Sequence, residues 1–240
     1  MRPVSPDEER TFTETARRAQ IVAAAVETIA EVGYAQASLA RIAERIGVSK
    51  GVISYHFARK EDLVQEVITE VLAKAAAYMR PRLEAESAPA GRLRAAIESN
   101  IAFMGEYRAH MVALFEIVVN TRGEVRSPQP AVARVIDGGV AALRDLLAAG
   151  QAAGEFRADF DPLVMATAIR AVIDAVPRRL AADPGFDVGH YGQEIADIFD
   201  LATRGGGGRG EATRGGGGRG EATRGGEAGR RCAGERRGGG

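Results

Sequence analysis

The chain has one cysteine, no tryptophan, three histidines and no excess of charge of either sign. A single cysteine, Cys232, excludes both an intrachain disulfide and a cysteine metal cluster. His56, His110 and His190 are scattered, and none belongs to a group with metal-ligand spacing. No nucleophile elbow or glycine-rich phosphate loop is present, so no enzyme, metal or cofactor is expected. No run approaches the ~20 apolar residues that a helix needs to cross a bilayer. The N-terminus carries Asp7-Glu8-Glu9 in place of an apolar targeting segment, so no membrane partner and a cytoplasmic location are expected. The missing tryptophan excludes nothing.

Charge is balanced in total, 32 basic against 32 acidic residues, but not along the chain. Residues 1–60 hold nine Lys/Arg and seven Asp/Glu, a net of +2; residues 61–203 hold 14 and 21, a net of −7; residues 204–240 hold nine and four, a net of +5. An acidic body behind a mildly basic head fits a protein that touches a polyanion at one end. The last segment repeats Thr-Arg-Gly-Gly-Gly-Gly-Arg-Gly-Glu-Ala from Thr203 and again from Thr213, and 17 of its 37 residues are glycine. Backbone entropy disfavours a fold there, and the ten-residue period is too polar for a solenoid core. Its arginines suit non-specific attraction to nucleic acid, and a passive extension is the plainer reading.

What organises the rest is the stretch from Ser38 to Lys60. Ser38 suits a helix N-cap, and Leu39, Ile42, Ala43 and Ile46 recur at helical spacing. Gly47 suits a left-handed helix end, Val48 a plug at the turn, and Ser49 a second N-cap. Two short helices joined by a glycine-containing turn form a helix-turn-helix, whose second helix enters the major groove with its N-terminal residues foremost. Lys50 can reach a guanine edge or a phosphate, and Val52 a thymine methyl. Gly51 costs roughly 1 kcal/mol inside a helix relative to alanine, a cost explained by close approach to DNA. Ser54, Tyr55 and His56 suit phosphate contacts, as does Lys60, whereas Ile53 and Phe57 are expected to face inward. Singly, Ser49, Tyr55 and His56 each fit a purely structural role as well.

Gly33-Tyr34, Ser38-Leu-Ala-Arg-Ile-Ala43, Gly47-Val-Ser49-Lys-Gly51, Tyr55-His-Phe57 and Lys60-Glu-Asp-Leu63 together resemble the N-terminal domain of the TetR family of bacterial transcriptional regulators. The resemblance is strong over residues 15–66 and extends to about residue 202 as a general helical arrangement. The chain departs from the family pattern at Ser38, where threonine is usual, and at Ser54, where tyrosine is usual. The resemblance implies that the helix from Ser49 is the recognition helix and that Lys60 is a phosphate-binding lysine. It also offers a phosphate-contacting role for Arg17 and Arg18, beside the alternative that both face solvent.

The implied fold is all-α: an N-terminal three-helix helix-turn-helix domain plus a larger helical ligand-binding and dimerisation domain, about nine helices in all. Residues 1–12 are expected as a flexible arm, 13–60 as the DNA-binding domain, 61–203 as the body and 204–240 as a disordered tail. Thr13 or Thr15 is the expected cap of the first helix, and Pro81 the expected end of the fourth. Glu84 to Gly91 reads as a linker. The run Met111 to Val119 is more apolar than a surface helix needs, so a deeply buried helix is expected there. Asp161-Pro162 opens a later helix with the aspartate as cap. By resemblance, the last two helices meet their copies in a homodimer.

Candidate ligand contacts are Phe103, Met104, Tyr107, Met111, Phe115, Ile117 and Val118, with Met165, Ile169 and Ile173 opposite, and Glu116, Asn120, Arg170 and Asp174 as polar contributors. For each apolar residue, core packing is the competing role. Glu116 either recognises a cationic or hydroxyl-bearing ligand or bonds Arg170. The expected function is a sequence-specific DNA-binding transcriptional regulator, a repressor on family precedent, modulated by a small-molecule effector and bound to palindromic double-stranded operator DNA. The alternative is a helical ligand-binding protein without transcriptional control.

Overall fold

The computed structural model describes residues 6–121 and 129–204. Residues 1–5 of the expected arm, residues 122–128, and the glycine-rich tail from residue 205 with Cys232 lie outside them. Ten helices follow in order: α1 (Pro6–Val32), α2 (Leu39–Arg45), α3 (Lys50–His56), α4 (Lys60–Glu84), α5 (Pro89–Glu106), α6 (Arg108–Asn120), α7 (Gln129–Ala152), α8 (Pro162–Asp174), α9 (Val176–Ala182) and α10 (Val188–Thr203). Among the described residues the only β-type pairing is an isolated bridge between Phe156 and Arg204.

The head is built as its sequence dictates. Ser38 has extended backbone and its hydroxyl accepts from the Arg41 N–H at 3.2 Å. At the other end of α2, Gly47 sits at φ +68°. Its N–H bonds the Glu44 carbonyl and the Val48 N–H bonds the Ala43 carbonyl, the paired bonds of a Schellman end. Ile21, Ala25 and Ile29 of α1 close over Ile42, Ala43, Ile53 and Phe57, all buried. Arg45 pairs with Glu27 and Glu31, tying α2 to α1.

Several boundaries differ from the sequence expectations. Helix α1 starts at Pro6, so Thr13 and Thr15 lie within it and do not cap it. Helix α4 runs through Pro81 to Glu84; the residue sits in the last turn, where few backbone bonds remain to be lost. The expected linker shrinks to residues 85–88, because Pro89 takes the first position of α5. The break after α8 comes before Pro177, which lies in the first turn of the short α9. The Asp161 cap is as expected, accepting from the Leu163 and Val164 N–H groups; Asp187, which was not anticipated, caps α10 by accepting from His190 N–H.

Helix α6 is the instructive case. Met111, Ala113 and Ile117 are buried, but Val119 is exposed, and Leu114, Phe115 and Val118 border a cavity. Its surplus of apolar residues is therefore not explained by full burial; part of it lines empty space. Close helix packing in the body depends on Gly192, where a methyl group would sit 3.1 Å from Ile101, so α10 and α5 approach more closely there than alanine readily allows.

Candidate functional site

Two regions carry chemistry beyond packing. The first is the outer face of α3. Lys50, Gly51, Ser54 and Tyr55 are exposed, Val52 is half-buried, and Ile53 and Phe57 are buried beneath them. This orientation follows from the helical period: positions three to four apart, 53 and 57, share the inner face. Tyr55 is 76% exposed and meets only the edge of the His56 ring, 5.1 Å away. Ser49 opens the helix without a side-chain capping bond. A methyl group on Gly51 would have only the Ser49 Oγ nearby, at 3.5 Å. Nothing inside the protein therefore requires glycine there.

The remaining candidates for DNA contact are differently placed. Arg17 is half-buried and donates to Gln20 Oε1 at 2.7 Å. Arg18 donates to the His56 carbonyl at 3.0 Å and to Glu66 at 3.1 Å, with its guanidinium 4.3 Å over the Phe57 ring. It clamps the end of α3 to α1 and α4, a structural contact that the sequence did not suggest. Lys60 donates to the Tyr34 carbonyl and stacks 4.0 Å over the Tyr34 ring. The sequence signal for both was a positive charge; their partners lie 26 to 48 residues away and leave no local trace.

The second region is a cavity of about 280 Å³ lined by residues of α4 to α9. Phe103, Met104, Met111, Phe115 and Val118 line it, as expected, and so do Arg170 and Asp174. Tyr107, Glu116, Ile117, Asn120, Met165, Ile169 and Ile173 do not line it. Ile117, Ile169 and Ile173 are core residues, and Met165 packs against that core. Tyr107 stacks on Phe103 at 4.8 Å within an aromatic group that includes Tyr78, whose ring carries the Arg82 guanidinium at 3.7 Å. Residues of α4 (Val71, Leu72, Ala75, Met79) and α7 (Val132, Val135, Ile136), together with Asn100, Leu114 and Pro177, also line the cavity and were not anticipated. Their apolar period gave helices but not which face met empty space.

Glu116 lies outside the cavity lining and is not bonded to Arg170. Its carboxylate accepts from the Tyr34 backbone N–H at 3.3 Å and from Asn120 Nδ2 at 3.2 Å. Gly33, at φ +79°, leaves room for it: a methyl there would stand 3.2 Å from Glu116 Oε2. Helix α6, which lines the cavity, is thus bonded to the turn that precedes α2, and Lys60 at the start of α4 grips the same turn.

Among the described residues no group of histidine, cysteine and carboxylates could hold a metal, and no helix is long and apolar enough to cross a membrane. Burial, and after it the Lys74 ammonium, hold the His110 imidazole below its ordinary pKa, against weaker opposing pulls from Glu70 and Glu27.

Residues 21–67 match the family model for bacterial regulatory proteins of the tetR family. The HTH-type transcriptional regulator BetI 1 of Chromohalobacter salexigens is 40% identical over 85 residues, 35% of this chain and 42% of that protein. BetI of Burkholderia thailandensis is 38% identical over 85 residues, 35% of this chain and 44% of that protein. The chain thus spans less than half the length of these curated relatives. Among solved structures, a transcriptional regulator from Saccharomonospora viridis in complex with choline superposes with a TM-score of 0.71 at 23% identity, over 80% of this chain and 99% of that one. FadR of Bacillus subtilis in complex with stearoyl-CoA gives 0.64 at 22% identity, over 75% and 96%. These two likenesses concern the fold. The head, over residues 21–67, thus matches the tetR family in sequence, and the described residues share the fold of these transcriptional regulators.

Proposed function

We propose that the protein is a cytoplasmic, homodimeric, sequence-specific DNA-binding transcriptional regulator, a repressor whose grip on its operator is set by a small molecule held in the helical body. The observation that carries this reading is the two-sided α3: Ile53 and Phe57 anchor it, and Lys50, Gly51, Ser54 and Tyr55 stand outward on a rigid frame. Lys50 and Gly51 lead into the major groove; Ser38, Ser49, Ser54, Tyr55 and His56 serve the flanking backbone. Arg18 and Lys60 act first by holding α3 and the Tyr34 turn in register, and Arg17 lies alongside.

Dimerisation is supported by large apolar side chains left exposed on α8 (Leu163, Val164) and α10 (Ile198, Leu201). A paired molecule presents two α3 helices to half-sites about 34–36 Å, or a multiple, apart. Ligand control is supported by the cavity, and by the choline and stearoyl-CoA held by two proteins of the same fold. Control requires a ligand that binds the DNA-competent and incompetent states unequally. The bonds from Glu116 and Lys60 to the Gly33–Tyr34 turn give the body two handles on the head.

The test is titration of operator DNA with purified protein at fixed salt. Lys50→Ala and Tyr55→Ala each lower affinity by roughly tenfold or more while circular dichroism and dimer mass stay unchanged. Full retention of binding in both folded variants contradicts the assignment of α3.

A further inference from the structure

The walls of the cavity are apolar except at Asn100, Arg170 and Asp174. Arg170 and Asp174 lie one turn apart on α8 and are ion-paired through Nη2, with side chains 18% and 35% exposed. The pair is neutral as a unit. It is not satisfied as a hydrogen-bonding unit: Arg170 Nε is buried and has no partner. Among the described residues the guanidinium's one acceptor is Asp174, through Nη2. A buried N–H left unmade is costly, and more so on a charged group. A cavity wall that carries a guanidinium with an unsatisfied N–H, in a pair with no net charge, favours an acceptor atom on an uncharged molecule.

From this we infer that the effector is a neutral, largely apolar molecule bearing one carbonyl-type acceptor oxygen, and that Arg170 takes that oxygen. The inference rests on the reading of the cavity as the effector site. A carboxylate ligand would meet the Asp174 charge, and a quaternary ammonium would meet a carboxylate already held by Arg170. The aromatic rings of Tyr78 and Tyr107 offer a cation no free cage either, because Arg82 and Lys74 of the chain itself lie 3.7 and 5.9 Å from their centroids. Because Nε is enclosed, engagement includes rotation of the Arg170 side chain. Gly139 of α7 leaves space for this: a methyl there would lie 4.0 Å from Arg170 Nη1, and glycine keeps that position empty.

The experiment is isothermal titration calorimetry of the full chain with three probes each built on a ten-carbon chain: 2-decanone, decanoate and decyltrimethylammonium. The expected order puts 2-decanone roughly tenfold or more ahead of both ions, the size of one charge-assisted hydrogen bond. Arg170→Met removes the donor and uncovers Asp174, so the ketone loses that advantage and the ammonium gains. Asp174→Asn does the opposite and favours decanoate. These two shifts in opposite directions cannot both come from a general loss of fold. Equal or tighter binding of either ion by the parent, ketone affinity unmoved in Arg170→Met, or no binding of any probe overturns the inference. Operator titration of the same preparation reads the regulator function separately, so intact DNA binding beside a failed ligand result rejects only this inference.

Discussion

Gly51 shows how one residue separates folding from function. It is exposed in the first turn of α3, and a methyl group would fit there at ordinary contact distance. Gly51→Ala should therefore raise the denaturation midpoint, by up to about 1 kcal/mol of helix propensity. The same methyl group stands where the backbone approaches DNA, so operator affinity should fall at least about tenfold. A variant that is no more stable, or that binds as tightly as the parent, would show that the glycine is there for another reason. His110 gives a pH-dependent test. Its folded pKa lies below its ordinary value, so between the two the unfolded chain binds more protons and stability rises with pH. The contribution is present above the unfolded pKa and is lost on acidification. His110→Gln should thus lose less stability than the parent between about pH 7.5 and about pH 5.5 in paired thermal melts; an equal loss would place the acid sensitivity elsewhere. At this scale the sequence was legible where a role is local. Ser38, Gly47 and Asp161 act on backbone groups a few residues away. The intramolecular partners of Arg18, Lys60 and Glu116 were not legible because they are distant, at His56 and Glu66, at Tyr34, and at Tyr34 again.

At the scale of elements, α6 joins the two halves of the molecule. One face packs in the core through Met111, Ala113 and Ile117; another borders the cavity; and Glu116 reaches the Gly33–Tyr34 turn. Replacing Glu116 with alanine leaves the Tyr34 backbone N–H without this acceptor. The cost should be about 0.5–1.5 kcal/mol in denaturant unfolding, with Glu116→Gln, which keeps an acceptor oxygen, closer to the parent. An alanine variant as stable as the parent would mean that the contact contributes nothing to holding head and body together. Helix positions were readable from the apolar period because burial imposes it, as in α10, where Ala196 and Phe199 are buried. Helix ends at proline were not, since proline also suits first turns, as at Pro89 and Pro177, and survives in a last turn, as at Pro81. The cavity face of α4 and α7 escaped notice for a similar reason: Leu72 or Ile136 looks the same in sequence whether it meets another side chain or a void.

At the scale of the whole molecule, the head and the body were legible to different degrees. The head is specified by short-range signals in fixed order, the same residues that match the family model over 21–67. The body is specified mainly by apolar period, which many helical arrangements satisfy; its fold became definite only in three dimensions. In the proposed homodimer, the exposed apolar residues of α8 and α10 are the surface for the second copy, and the spacing of two heads turns one weak reader into a specific one. The most direct test of this account is selection and sequencing of genomic DNA fragments by the purified full-length protein, at moderate salt with competitor DNA. The account predicts enrichment of one short palindrome whose half-sites are centred about one helical turn or a multiple apart. Enrichment of no sequence by a protein shown to be folded and dimeric, with or without effector, would contradict it.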